Sequence, residues 1–430
     1  MLQENRDLTG KRNNAKMVIG YDLGRQFSQV SYYAVGDADP CTVSPVAGTE
    51  QYNIPTVLCK RVGVSQWYYG KEALKNQGEE GILVDHLLEK ALQGEEVLVE
   101  ETTFDPVALL TLFIKRSLAT LNMQVSLNRA EVFMFTVEEL TPRMVEVLGK
   151  VVSGLQLKCP QICFQSHIES FYYYMLHQQA ELWKREVFVF EYNDTLKTLR
   201  FQCNRHTTPR VVFIEHLDYP EMKRVDWAED EAQQELDAQF GQLCESCLHE
   251  TDVSTVFLIG EGFKEGWTRE SLKILCHNRR VFQGNNLYSK GACYAGMEKL
   301  NPQESTREYV YLGEDKLKSN IGMRALRRGE DSYLAILDAG VNWYEAKTDF
   351  DLILESGNVL CFTITPLTGE NIIDKTVTLD GLPERPRCTT RLRIHAEMTA
   401  IHTLTLEITD MGFGELFKSS GRAWTHTLQV

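Results

Sequence analysis

The sequence has no apolar run of transmembrane length, and its first residues lack the apolar stretch of a secretory leader. Neither a helical membrane span nor a cleaved leader is therefore expected. Positive charge is in deficit: 45 Lys and Arg stand against 60 Asp and Glu, a net charge of −15, which argues against a nucleic-acid surface. The 11 cysteines follow no repeated spacing. Their odd number, with no leader ahead of them, suits reduced thiols and a cytoplasmic location. Cys244 and Cys247 form a single C-x-x-C with no second ligand pair for zinc, so they are assigned to one packed helix face. The ten histidines make no H-E-x-x-H, and neither a hydrolase elbow nor a low-complexity tract is present.

What is present is a globular composition, 43% apolar over 430 residues, enough for two or three domains. Met1 to Lys16 is polar and charged and is expected to be a disordered arm. Residues 17–31 then read as a buried strand, a turn on Asp22-Leu23-Gly24, and a returning strand. A carboxylate at the tip of a buried strand is costly unless it is used there. Gly24 permits close approach of the backbone, and the turn amides are placed to face an anion. This is the pattern of a phosphate-and-magnesium hairpin, although an ordinary hairpin turn has the same residues.

Farther along, Asp105-Pro106 and Thr141-Pro142 are helix starts, each an N-cap followed by Pro at the first position. Gly154 is a candidate stop for the second helix. Glu131–Phe135 and Ile162–Phe164 read as strands, and Ile168 to Trp183 as a long aromatic-rich helix. Val187–Glu191 and Thr198–Phe201 form a second hairpin with an acidic residue again ending an apolar strand, which suggests an internal duplication. A strand at Arg210–Ile214, a helix from Glu229 to His249, and the strand Val256–Ile259 running into Gly260-Glu261-Gly262 complete a mixed α/β pattern. Residues 301–308 read as a linker. Beyond it the period becomes two: Leu392, Ile394 and Ala396, then Leu404, Leu406 and Ile408, alternate with polar residues, so residues 309–430 are expected to form a β-sandwich. Arg324, Arg327 and Arg328 read as a solvated basic cluster, and Trp67, Trp267 and Trp343 as packing anchors.

In this order the segments resemble the actin-like ATPase superfamily, and within it the 70-kDa heat-shock chaperones of the DnaK type. Ile19-Gly20-Tyr21-Asp22-Leu23-Gly24 is similar to the first phosphate loop, and Tyr69-Gly70-Lys71-Glu72-Ala73 to a family helix start. Ser166-His167-Ile168-Glu169-Ser170 is similar to the chaperones' N-E-P-T-A-A segment, Val256–Gly262 to the adenosine loop, and Asn286–Gly296 to the helix behind it. In the last third, Val377-Thr378-Leu379-Asp380-Gly381-Leu382-Pro383-Glu384-Arg385-Pro386-Arg387 resembles a segment of the peptide-binding sandwich, and Thr409-Asp410-Met411-Gly412 its closing turn. The resemblance implies a duplicated actin-like (ribonuclease H-like) nucleotide-binding domain at 17–300 followed by an all-β sandwich, with no helical lid before Val430. It implies ATP or ADP with magnesium as cofactor. Asp22 and Glu191 would hold the metal. Gly24, Arg25 and Gln26 would face phosphate, Leu23 would belong to the same nucleotide site, Gly260, Glu261 and Gly262 would line the nucleoside, and Glu169 would be the catalytic carboxylate.

The departures from that family are specific. Its second phosphate loop, D-x-G-G-G-T, here reads Glu191-Tyr192-Asn193-Asp194-Thr195-Leu196, without a glycine. Arg25-Gln26-Phe27 replaces the hydroxyl residues of the first loop, and Leu87 stands where a catalytic lysine is expected. The outer lobes are shortened. Two functions follow as expectations. One is a chaperone-like ATP-binding protein, at most a slow ATPase, whose sandwich binds a peptide or protein. The alternative is a pseudo-ATPase scaffold for protein–protein assembly that binds no nucleotide.

Overall fold

The computed structural model describes residues 15–46, 48–206, 208–224, 230–249, 251–264, 266–284, 286–327, 329–367 and 371–430. Residues 1–14 of the expected arm, Glu229 and Arg328 lie outside them. The chain divides into two compact units after Tyr311.

The first unit opens with β1 (Met17–Leu23) and β2 (Phe27–Ala34), followed by short β3 (Cys41–Thr42) and β4 (Ile54–Pro55). A small three-stranded sheet, β5 (Leu58–Arg61), β6 (Trp67–Tyr69) and β7 (Gly81–Val84), encloses α1 (Gly70–Lys75). Then come α2 (Leu87–Gln93), the hairpin β8 (Val97–Val99) and β9 (Thr102–Phe104), α3 (Pro106–Ala119), β10 (Ala130–Val137), α4 (Pro142–Leu155), β11 (Gln161–Ser166) and α5 (His167–Leu176). A second series follows: β12 (Glu186–Tyr192), β13 (Thr195–Asn204), β14 (Arg210–Lys223), α6 (Asp230–Leu248), β15 (Val253–Ile259), α7 (Glu270–Leu275), β16 (Arg280–Gln283), α8 (Leu287–Leu300) and β17 (Tyr309–Tyr311).

Two six-stranded sheets share one plan. In the first, β1 pairs antiparallel with β2 on one side and parallel with β10 on the other, with β11 beyond. In the second, β12 pairs antiparallel with β13 and parallel with β15, with β16 beyond. The helices between the sheets are exchanged. Helix α5 leaves the first sheet and packs Phe171, Tyr172 and Met175 on Val187, Val189 and Phe201 of the second. Helix α8 leaves the second sheet and lies on the first, where a Cβ on Gly20 would meet Ser289 O at 2.3 Å and one on Gly296 would meet Val18 at 2.3 Å. These glycines are required by the closeness of helix and strand. The outer face of the second sheet is an aromatic core in which Phe188, Phe190 and Tyr192 pack with Phe240, Phe263 and Trp267.

Local expectations hold where a side chain caps a helix. Asp105 accepts hydrogen bonds from the Val107 and Ala108 amides, and Thr141 from the Met144 amide. Others shift. Gly154 does not end α4, which runs on to Leu155 with Gln156 left-handed; a Cβ on Gly154 would lie 3.1 Å from the Thr111 methyl, so the glycine leaves room for Thr111 of α3. Helix α5 ends at Leu176, and the Trp183 indole N–H donates to Gln178 O across the following turn. The strand expected at 210–214 extends to Lys223. Tyr309–Tyr311, expected in the sandwich, pairs with β14, so the division falls after residue 311 rather than at 308. Trp267 and Trp343 are buried, and Trp67 packs edge-on against Phe104.

The second unit has two antiparallel four-stranded sheets. Its strands are β18 (Ser319–Arg327), β19 (Glu330–Leu337), β20 (Lys347–Leu354), β21 (Val359–Pro366), β22 (Ile373–Thr378), β23 (Thr390–Ala400), β24 (Thr403–Gly412) and β25 (Ala423–Gln429), in the orders β19-β18-β21-β22 and β20-β23-β24-β25. Leu392, Ile394, Ala396, Leu404, Leu406 and Ile408 are all buried, as period two requires. Arg324 and Arg327 lie on β18. The loop before β23 is fixed by a buried ion pair: Arg385 donates to both Asp410 oxygens at 2.8 and 2.7 Å, and Asp410 also accepts from the Gly412 and Ser420 amides. Among the described residues, no helix is long and apolar enough to cross a membrane.

Removing one partner of a fully buried pair strands the other charge, which costs about 3–5 kcal/mol. Arg385→Ala is therefore expected to lower the unfolding free energy of the second unit by that amount in a denaturant titration. A loss below about 1 kcal/mol, typical of exposed pairs, would contradict it.

Candidate functional site

The two central strands carry their acidic residues to the same place. On β12, Val187 and Val189 face the inner helices while Phe188, Phe190 and Tyr192 face outward, so Glu191 points inward at the strand's end. On β1, Gly20 faces α8, so Asp22 also points inward at the end of its strand. A cleft of about 450 Å³ opens there, at the carboxyl ends of the parallel strands, where ligands of α/β sheets bind. It is lined by Asp22 through Phe27, Glu138, His167, Glu191, Asn193, Asp194, Lys197, Gly260 and Tyr288, among others, and is flanked by Leu88, Leu92 and Met144.

Asp22 is nearly buried, and one of its oxygens lies 2.8 Å from His167 Nε2. The His167 ring stacks on Tyr288, 4.0 Å between centroids and 8° from parallel. The Tyr288 hydroxyl donates to Glu191 Oε2 at 2.7 Å, and the Asn193 amide donates to Oε1 at 3.1 Å. Burial alone would pull the imidazole down, but the Asp22 charge and hydrogen bond, backed by Glu191 and Glu138, outweigh it and raise its pKa above 6.5. Burial pushes the Glu191 carboxyl up against the pull of His167 and Tyr288. Burial and the adjacent Glu191 push the Tyr288 phenol well above its usual range, which keeps it a proton donor.

A second set of bonds spans the cleft mouth. Gln26, on the β1–β2 turn, donates to Asp194 on the β12–β13 turn at 2.6 Å. Lys197 bonds Glu138, and Arg25 reaches Glu138 at 3.2 Å and Glu89 at 3.5 Å. Against its burial, these cations hold the Glu138 carboxyl down at about 2. Asn53 bonds Glu261, which also takes Lys264.

The expected residues are thus partly brought together. Asp22, Leu23, Gly24, Arg25, Gln26, Glu191 and Gly260 line the cleft; Glu261 and Gly262 do not. The three-residue glycine turn is shaped by Tyr192: a Cβ on Gly260 would lie 2.3 Å from Tyr192 O, and one on Gly262 2.5 Å from the Tyr192 ring. Gly24 serves its own turn, where a Cβ would meet Phe27 O at 2.2 Å. Glu169 is buried in the first turn of α5, its amide donating to Ser166 Oγ, and it does not line the cleft. The residue of that helix that enters the cleft is His167. Sequence reading passed it over, although the first residue of a helix that follows a parallel strand stands at the strand's carboxyl end. Tyr288, Lys197, Glu138 and Asn53 were also passed over, and only the fold assembles them.

Of the carboxylates expected to hold magnesium, one Asp22 oxygen faces an imidazole and both Glu191 oxygens accept side-chain donors, so three of the four oxygens are engaged within the chain. Among the described residues, no group of three His, Cys, Asp or Glu side chains is arranged to hold a metal ion. Cys244 and Cys247 are free thiols, and burial pushes both up, away from the range of reactive thiolates.

These features define an α/β cleft protein with an appended all-β unit. Residues 39–314 match the family model described as Family of unknown function (DUF5716) C-terminal, and the chain belongs to that family. Residues 316–430 match Domain of unknown function (DUF8552), so the two matches meet close to the division between the units. No curated protein matches the chain.

A histidine whose pKa is raised by folding stabilises fully below its unfolded value, near 6.5, and loses that contribution as pH rises through the folded value. Stability is therefore expected to fall on going from pH 6.5 upward through the raised value, and His167→Gln to flatten that slope. An unchanged slope in denaturation curves of the variant would contradict the Asp22–His167 pairing.

Proposed function

We propose that this protein is a pseudo-ATPase scaffold. In this reading the first unit keeps an actin-like, ribonuclease H-like duplicated fold related to the 70-kDa heat-shock chaperones. Its cleft mouth is bridged by its own side chains, and the second unit is a β-sandwich that binds a peptide or protein partner. The observation that carries the reading is the Gln26–Asp194 bond, which joins the two hairpin tips between which a phosphate chain would thread. The lining supports it. Asp22, Glu138, Glu139, Glu191 and Asp194 face Arg25, Lys197 and His167, so acidic groups outnumber basic ones in a place that would have to accept polyphosphate. The second unit supports the partner role: Phe413 and Leu416 are 42% and 89% exposed on one loop, pinned by the Asp410 network and by two left-handed glycines, Gly412 and Gly414. Eleven free thiols fit a cytoplasmic setting.

A chaperone-like, nucleotide-binding reading has one observation in its favour, the convergence of Asp22 to Gln26 and Gly260 on a single cleft. Calorimetry separates the two. The scaffold reading expects no heat from ATP at about 1 mM, with magnesium or with chelator, in folded protein. A magnesium-dependent heat that Asp22→Ala abolishes would overturn it in favour of nucleotide binding.

A further inference from the structure

Three contacts in the cleft cross from one half of the first unit to the other, the His167–Tyr288 stack, Lys197–Glu138 and Gln26–Asp194, and two bonds within the halves, Asp22–His167 and Tyr288–Glu191, hold the stacked rings in place. Asp22 on β1 meets His167 at the start of α5. His167 stacks on Tyr288 at the start of α8, and Tyr288 holds Glu191 on β12. Glu138, just after β10, is bonded by Lys197 on β13. Gln26 on the first hairpin turn is bonded to Asp194 on the second. The groups that act on His167 most strongly belong to this set: Asp22, Glu191 and Glu138 as anions, with Lys197 as the cation beyond Glu138 and Tyr288 on the ring face, while Arg25, Glu139 and Asp194 line the same cleft. Without His167 and Lys197, three carboxylates from two sheets would converge on one cleft with only Arg25, at 3.2 Å from Glu138, to offset their repulsion.

We propose that these bridges are a permanent clasp that stands in for a bridging ligand: His167 and Lys197 supply, from within the chain, the positive charge that holds the two halves of the first unit together, and the halves stay joined across the cleft mouth with neither metal nor nucleotide. The proposal rests on the scaffold reading and deepens it, because it says what joins the two halves when nothing is bound. The hairpin tips are exposed at Gln26 and Asp194, so the Gln26–Asp194 bridge can be altered without touching the core.

The test is hydrogen exchange on the full chain, read at amides bonded to the two tips: Thr56, which donates to Gln26 O, and Arg224, which donates to Asp194 O. In wild-type protein both are expected to be protected, and equally so with chelator or with millimolar magnesium and ATP. Gln26→Asp sets a carboxylate against Asp194 and is expected to speed exchange at both amides about fivefold, the equivalent of about 1 kcal/mol. Gln26→Asp with Asp194→Gln restores a donor–acceptor pair and is expected to restore protection. Lys197→Ala, at a half-exposed position, is expected to speed both amides as well. Unprotected amides in wild type, no response to Gln26→Asp and Lys197→Ala, or a slowing of exchange by added magnesium and ATP would each overturn the clasp. Calorimetric binding of ATP without any change in exchange would overturn the scaffold reading and leave the clasp standing.

Discussion

Two carboxylates aimed from opposite sheets into one cleft are the constraint around which the first unit is arranged. Asp22 and Glu191 end equivalent central strands, and neither can be withdrawn to solvent without turning its strand. Buried charge of one sign has to be met by a partner or neutralised. Here one imidazole and one phenol do both. His167 answers Asp22, and Tyr288 gives Glu191 a hydrogen bond while its ring supports the imidazole. The cleft is therefore organised by its own side chains, and the acidic excess around it follows from the same geometry.

That geometry depends on how closely the inner helices lie to the sheets. Gly20, Gly291 and Gly296 remove the side chains that would hold α8 off β1 and α5; a Cβ on Gly291 would lie 2.0 Å from Ser170 O. Only with α8 in this position does Tyr288 reach both the His167 ring and Glu191. The aromatic core on the outer face of the second sheet has a similar effect on the facing turn. Tyr192 is buried among Phe240, Phe263 and Trp267, and its backbone and ring take the space beside Gly260 and Gly262. Those glycines make room for a neighbouring tyrosine, and Gly260 also lines the cleft.

Much of the secondary structure was legible because it rests on short-range chemistry. Asp105-Pro106 and Thr141-Pro142 start helices since the capping oxygen and the amides it serves lie within three residues. The alternation at 392–396 and 404–408 gives strands with one buried face because side chains in a strand point to opposite sides. Errors arose where a residue had two local uses. Gly154 is a plausible helix stop, but it is spent on approach to Thr111, 43 positions away. Tyr309–Tyr311 reads as the first strand of a β domain, but it completes the edge of the preceding sheet.

The sequence by itself determined that an acidic residue ends a buried strand twice, at Asp22 and Glu191, that the second turn lacks glycine, and that the last third is all-β. These are properties of composition and period, carried by neighbouring residues. Only the tertiary structure decided that His167, not Glu169, enters the cleft, and that Tyr288, Lys197 and Gln26 bond Glu191, Glu138 and Asp194. Those pairs are separated by 97, 59 and 168 positions, and a hydrogen bond between them exists only once two sheets and two exchanged helices fix their distance.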